Sequence, residues 1–407
     1  MNLQDMAEMI NELKQKASDY FDWMVEIRRH LHRYPEVSYK EYETTDYIVS
    51  KLGELGIDVE KPLETGCVGI LEGKQTDSSR TIALRADIDA LDMTEEGDHK
   101  KEFLSRNPGA AHCCGHDAHT ANLLGTAKIL TDYRERMNGK VLLIFQPGEE
   151  KLPGGARLLC ESGFLDRQGV DEIYGLHTSP GHKPGEVAIR SGPMMARPDE
   201  FEIELIGKGG HAASPHQAVD TIVMAAEAVT RFQTIVSRHI DPTEPAVVTV
   251  GKIEGGSAYN VIPGTVSMIG TVRTFSRETS HLIRDRMEAI LKGITESYGG
   301  SYEFRFNEGY PAVINEEKLA DNVRLTAEEL FGPESVLDLE KPLMAAEDFA
   351  FYQEIYPGAY FLLGSGSDET GSTWSWHHPR YNVDERCFLT GAPLMAAIAL
   401  FHRNSSS

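Results

Sequence analysis

Short apolar runs set off by glycine and polar clusters alternate with helical stretches along the first half of this chain. The runs are Cys67–Leu71, Thr81–Arg85, Val141–Phe145 and Ile173–Leu176. Between and before them, helical spacing marks Met24, Ile27 and Leu31, then Glu41–Leu55 after Pro35, Ala118–Tyr133 and Gly155–Ser162. Strands that alternate with helices predict an α/β domain, with a mainly parallel sheet and helices on both faces. In such sheets the chemistry collects at the carboxyl ends of strands. Polar clusters do follow the apolar runs: Arg85-Ala-Asp87, Gln146-Pro-Gly-Glu149-Glu150 and His177.

The character changes near Pro193–Pro198. Glu200–Ile206 alternates with period two, a Gly/His turn follows, and Gln217–His239 reads as a long helix. Strands at Ala246–Ile253 and Thr265–Thr274 and a helix at His281–Thr295 complete a self-contained α+β block. A block of this size and completeness predicts a smaller domain inserted into the first. Tyr302–Phe306, a helix at Glu316–Phe331, a strand at Tyr360–Leu363 and a helix at Asp384–Arg403 could return to the larger domain. The predicted boundaries are 1–194 with 308–407 for the larger domain and 195–307 for the insert. Ser405–Ser407 reads as a disordered tail.

Charge narrows the partners. With 40 Lys and Arg against 63 Asp and Glu, the net charge is −23, which would repel a phosphate backbone and argues against nucleic acid. No segment approaches the ~18 apolar residues of a membrane span, so no membrane association is expected. The N-terminus is charged and lacks the apolar core of a signal peptide, so the expected location is cytoplasmic. Five cysteines, an odd and sparse set, argue against a disulfide framework.

Two of those cysteines fall in the densest polar cluster, Ala111-His112-Cys113-Cys114-Gly115-His116-Asp117-Ala118-His119. Thiolate, imidazole and carboxylate are ligands of divalent transition metals, and Cys114 and His116 are close enough to reach one ion. Asp117 stands where it could instead cap the following helix. Glu149 and Glu150 are adjacent at a strand end. Beside a metal such a pair divides its roles: one ligates, and the other takes a proton from water. His177 ends another strand, and Trp376-His377-His378-Pro379 offers two more imidazoles, either of which could ligate. Together these segments supply one thiolate, one carboxylate and three imidazoles, enough for two metals with open positions. In the insert, His211 lies in a glycine-flanked turn, and Arg273, at a strand end, could bind a carboxylate bidentately or make a surface ion pair.

In this order the motifs resemble the aminoacylase and carboxypeptidase G superfamily of dinuclear metallohydrolases, in the branch of hippurate hydrolase and the indoleacetyl-amino-acid hydrolases. The match is carried by Arg85-Ala-Asp87-Ile-Asp89-Ala-Leu91, Cys114-Gly-His116-Asp117-Ala-His119, Gln146-Pro147-Gly-Glu149-Glu150, Gly175-Leu-His177 and Gly209-Gly-His211-Ala-Ala-Ser-Pro215. Asn260-Val-Ile-Pro263, Ala346-Glu347-Asp348-Phe349 and His377-His-Pro379 follow. The resemblance implies that Cys114, His116, Glu150, His177 and His377 bind two divalent ions (zinc, manganese, nickel or cobalt), with Cys114 bridging. It implies Glu149 as general base and acid, and His211, assisted by Asn260, at the oxyanion. His211 would reach from the insert of a partner subunit, since the insert is the family's usual dimerisation domain. A homodimer is therefore implied. Arg273 is a candidate for the substrate carboxylate.

The implied reaction is hydrolysis of N-acyl amino acids to a carboxylic acid and a free amino acid. A dipeptidase or carboxypeptidase-like activity, including p-aminobenzoyl-glutamate cleavage, shares every ligand. A binding protein that has lost activity is disfavoured by the presence of Glu149. The chain departs from the branch at Asp92, where proline is usual, and at Cys113 and Gly148, where alanine is usual.

Overall fold

The computed structural model describes residues 3–75 and 80–401, so Ser405–Ser407 lie outside the described residues. The chain divides into two compact units. One comprises Met1–Met194, Ile314–Pro342 and Asp348–Ser407; the other comprises Met195–Val313 and Leu343–Glu347.

The larger unit is built on an eight-stranded sheet. Its strands are β1 (Asp58–Glu60), β2 (Cys67–Glu72), β3 (Thr81–Asp87), β4 (Lys140–Gln146), β5 (Glu172–Ser179), β6 (Val187–Ile189), β15 (Val336–Asp338) and β16 (Gly358–Gly364). They lie in the order β1-β2-β4-β3-β5-β16-β6-β15. The central run β4-β3-β5-β16 is parallel throughout, and β6 and β15 are also parallel. The β1–β2, β2–β4 and β6–β16 pairs are antiparallel. Central strands buried on both faces need apolar residues at every position. β4 shows this: Val141, Leu143 and Phe145 join one core cluster, while the intervening Leu142 and Ile144 point the other way and are equally buried. All the apolar runs read from sequence are strands of this sheet. The short strands β1, β6 and β15 have three residues each, too few to show a period.

The smaller unit follows the alternating rule. In β8 (Arg197–Ile206) Phe201, Ile203 and Leu205 are buried and Glu200, Glu202 and Glu204 are exposed. With β10 (Val247–Glu254), β12 (Thr265–Thr274) and β13 (Ser301–Asn307) it forms an antiparallel sheet in the order β10-β12-β8-β13. Helices Thr221–His239 and Arg277–Tyr298 bury Met224, Phe232, Ile235, Ile283, Met287 and Leu291 in the same core. The first starts at Thr221 rather than Gln217 because the Asp220 carboxylate accepts from the amides of Ile222 and Val223, the mark of a helix N-cap. Two-stranded pairs complete the strand set: β9 (Gly210–His211) with β11 (Val261–Ile262), and β7 (Gly192–Met195) with β14 (Val313–Asn315).

Two segments outside the predicted insert bounds of 195–307 belong to the smaller unit: 308–313 and Leu343–Glu347. Tyr302–Phe306 lies within those bounds and does not return to the larger unit. It pairs with β8, and its Tyr302, Phe304 and Phe306 pack on the smaller core. Leu343–Glu347 also belongs to the smaller unit, because the Ala196 amide donates to the carbonyls of Leu343 (3.0 Å) and Ala345 (2.9 Å). Among the described residues no helix is long and apolar enough to cross a membrane.

Candidate metal centre

The carboxyl ends of β3, β4 and β5 lie side by side, and the loops leaving them bring the ligand-type residues of the larger unit together. Helix His116–Asp132 opens directly on the cluster. Its N-cap is Gly115, at φ +103°, and a Cβ there would lie 2.4 Å from Thr178 Oγ1 and 2.8 Å from Tyr381 Oη. Only glycine fits that turn, which leaves Cys114 and His116 on either side of it. Asp117 is not the cap. Its buried carboxylate accepts from Arg28 Nε at 2.9 Å and lies 2.8 Å from His32 Nδ1, tying the ligand-bearing turn to helix Phe21–Arg33.

Two of the resulting groups of ligand atoms contain Cys114. Cys114, His116 and His177 form one, and Cys114, Glu150 and His377 the other; within each, the ligand atoms lie within 4.8 Å of one another. Cys114 belongs to both. Its Sγ is 3.4 Å from His177 Nε2, and Glu150 Oε1 is 3.2 Å from His377 Nε2 and 3.9 Å from His116 Nε2. His377 sits at φ +64°, which turns its imidazole to Glu150, while the ring of His378 stacks on Trp374 with 4.2 Å between centroids. Of the two adjacent histidines, therefore, His377 joins the cluster.

A second layer fixes the ring orientations. His116 Nδ1 lies 2.9 Å from the Asp89 carbonyl, and His177 Nδ1 lies 2.8 Å from the Thr178 carbonyl. Each contact fixes the ring so that its Nε2 points into the cluster. Trp376 Nε1 donates to the same Thr178 carbonyl, and its indole meets the His177 ring edge-on at 4.8 Å. Asp89 Oδ2 accepts from the Glu150 amide. Both nitrogens of His119 are taken, by Asp87 at 2.6 Å and Thr178 at 2.9 Å, so that histidine is a support and not a free ligand. Sequence reasoning assigned no role to Asp89 or Thr178, and gave Trp376 only as a possible pocket wall. The one local signal was the spacing of Asp87 and Asp89, two apart at a strand end.

The electrostatics point to cations. Burial pulls the His116 imidazolium down, but Asp87, Asp89 and Glu150 outweigh it and lift it to about 10. Burial, Glu150, Glu149 and Asp87 push the Cys114 thiol well above its ordinary value. A thiol held protonated by surrounding carboxylates becomes a thiolate once a divalent cation sits among them. His116 Nε2 and Glu150 Oε1 are buried without a hydrogen-bond partner, so the donor set fits metal ions. Glu149, next to Glu150, is buried, with Oε1 3.4 Å from the Asp348 amide, and it also groups with His116.

The remaining candidates lie in the smaller unit. His211 pairs with Val261, and the Ala212 amide donates to the Asn260 carbonyl. His211 and Asn260 thus line one open cleft of about 850 Å³. Arg273 is not brought to them. The cleft reaches along β12 to Ser267; Arg273 is near that strand's other end, about 20 Å further at ~3.4 Å per residue. Its half-buried guanidinium donates to Thr271 Oγ1 and the Val272 carbonyl.

The pattern of Peptidase family M20/M25/M40 matches residues 83–400. The chain belongs to that family. The N-acyl-L-amino acid amidohydrolase of Geobacillus stearothermophilus is 44% identical over 316 residues, 77% of this chain and 82% of the relative. The Arabidopsis thaliana IAA-amino acid hydrolase ILR1-like 4 is 38% identical over 391 residues, 94% of this chain and 86% of the relative. Among solved structures, the Bacillus subtilis YXEP protein, a dinuclear metal binding peptidase of the M20 family, superposes with a TM-score of 0.81 at 33% identity. The superposition covers 94% of this chain and 98% of that one.

Proposed function

We propose that this M20 chain is a metal-dependent amidohydrolase that cleaves the amide bond of N-acyl amino acids. The observation that carries the reading is the pair of ligand groups sharing Cys114, with the carboxylate of Glu149 beside them. Cys114, His116 and His177 would hold one divalent ion and Cys114, Glu150 and His377 a second, Cys114 being common to both groups. Bound there, such ions polarise a carbonyl and make water a nucleophile near neutral pH. Glu149 accepts the proton of the attacking water and returns it to the departing amine, so the products are a carboxylic acid and a free amino acid. His211 and Asn260 supply hydrogen bonds to the oxyanion from the smaller unit of a partner chain, in a cytoplasmic homodimer. Arg273 stands as the candidate for the substrate carboxylate, with its Nη1 engaged on its own strand.

The test is amino-acid release from N-acetyl, N-benzoyl and N-indoleacetyl amino acids and from dipeptides, with added divalent metal and with chelator. Chelator-sensitive release from the acylated compounds is expected. Release from dipeptides alone would move the assignment to a peptidase. Full release in the presence of chelator would overturn the metal centre.

A further inference from the structure

The two carboxylates that matter most lie on a loop. Residues 147–154, between β4 and helix Gly155–Glu161, form neither helix nor strand. Irregular segments are ordinarily the mobile parts of a fold, yet Glu149 and Glu150 must divide two roles at adjacent positions. What holds the loop comes from far away in sequence. Glu41 is fully buried, and its Oε1 accepts from the Gly148 amide at 2.9 Å across 107 residues. Its Oε2 accepts from Thr65 Oγ1 at 2.8 Å. Tyr39 takes the other end: its hydroxyl donates to the Lys151 carbonyl at 2.7 Å and accepts from the Gly154 amide at 3.0 Å. Ser38 Oγ donates at 2.6 Å to Asp89 Oδ2, the same oxygen that accepts from the Glu150 amide.

Shape agrees with the hydrogen bonds. Gly148 is at φ +64°, and a Cβ there would lie 2.3 Å from Cε1 of the Tyr39 ring. Tyr39 is itself at φ +66°, one of two non-glycine residues at positive φ among the described residues. Such a conformation persists only where the surroundings enforce it. The ring therefore occupies the space that the methyl of the branch's usual alanine would need, and Tyr39 and Gly148 are matched to each other.

We propose that Ser38–Glu41 is a brace for the carboxylate loop, with Tyr39 and Glu41 as positioning residues that hold Glu149 in register with the metal ligands. The inference rests on Glu149 as proton carrier, but the brace itself is read independently of turnover. Glu41→Ala removes the Gly148 acceptor. Glu41→Gln keeps a carbonyl oxygen there, and Tyr39→Phe removes only the hydroxyl. Hydrogen exchange of the amides of 148–155 in the metal-loaded protein is the first readout. The brace predicts exchange at least ~10-fold faster in Glu41→Ala and Tyr39→Phe, parent-like exchange in Glu41→Gln, and no change in Glu149→Ala.

Kinetics are the second readout. Misplacing a reacting group by about 1 Å costs on the order of 100-fold in rate. Glu41→Ala should therefore lose roughly 10–100-fold in kcat with KM within about two-fold of the parent and two metals still bound, and Glu41→Gln should recover most of that loss. Unchanged exchange in both Glu41→Ala and Tyr39→Phe overturns the brace, as does equal loss of kcat in Glu41→Ala and Glu41→Gln. If Glu41→Ala does not fold, Tyr39→Phe decides alone. Full turnover by Glu149→Ala would instead defeat the assignment of the base, while exchange still judges the brace.

Discussion

Glu41→Gln also gives a direct measure of how the larger unit holds a buried carboxyl. Burial raises this group first, and the nearby Asp89 charge adds to it, taking the carboxyl from 4.5 to about 7. At ~1.4 kcal/mol per pH unit, that difference corresponds to about 3 kcal/mol of pH-dependent stability. The folded pKa is raised, so between pH 4.5 and 7 the folded state binds more protons than the unfolded one. Glu41 therefore stabilises most below about pH 4.5, and this contribution is lost as pH rises through 7. The amide introduced by Glu41→Gln does not titrate and keeps an acceptor for the Gly148 amide, so every other group cancels in the difference between the two proteins. All three tryptophans, Trp23, Trp374 and Trp376, belong to the larger unit, so their fluorescence during urea unfolding reports the unit that contains Glu41. With both proteins chelated, the parent should lose stability relative to Glu41→Gln by about 3 kcal/mol between about pH 4.5 and 8. A difference that stays flat across that range, or one that grows in the opposite direction, would refute the reasoning.

Four further outcomes follow from the site and the fold. Glu149→Ala should retain two metals by elemental analysis and lose turnover by several orders of magnitude; turnover at the parent rate removes Glu149 as proton carrier. Asp89→Asn removes the carboxylate charge whose Oδ1 lies 3.2 Å from His116 Nδ1 while leaving the backbone carbonyl in place, and metal affinity from competition with a chromogenic chelator should fall about 10–100-fold, with parental affinity counting against the second layer. Asp220→Ala removes the cap of helix Thr221–His239 and should cost the smaller unit about 1 kcal/mol by circular dichroism, with no loss meaning the cap is idle. Mixing His211→Ala with Glu149→Ala chains should restore partial activity if His211 acts across a dimer; no recovery despite demonstrated subunit exchange would place its action within one chain.

Much of this was legible locally. A thiolate, imidazoles and paired carboxylates each stood directly behind an apolar run or inside one cluster, and a buried parallel strand announces itself by unbroken apolar residues. Cys114, His116, Glu149, Glu150 and His177 could therefore be picked out one segment at a time. The alternation of Glu200–Ile206 likewise marked the smaller unit, whose sheet is exposed on one face. His211 stood out in its glycine-flanked turn and Asn260 was named from the resemblance; the structure places both on one cleft, whereas Arg273 lies near the far end of β12 in the four-stranded sheet.

What depended on the fold were choices between equals and partners distant in the chain. The residues by themselves offered His377 and His378 alike, and the resemblance chose His377; the backbone at φ +64° and the stacking of His378 on Trp374 give the physical reason. Tyr302–Phe306 reads as a strand in either unit, and only pairing with β8 assigns it. Thr178 and the Ser38–Glu41 brace carry no signature of their own, because a hydrogen bond to a backbone amide 107 residues away leaves no mark on either segment. Ligand chemistry is a property of side chains and survives in the sequence. Orientation is a property of packing, and it exists only once β3, β4 and β5 lie side by side.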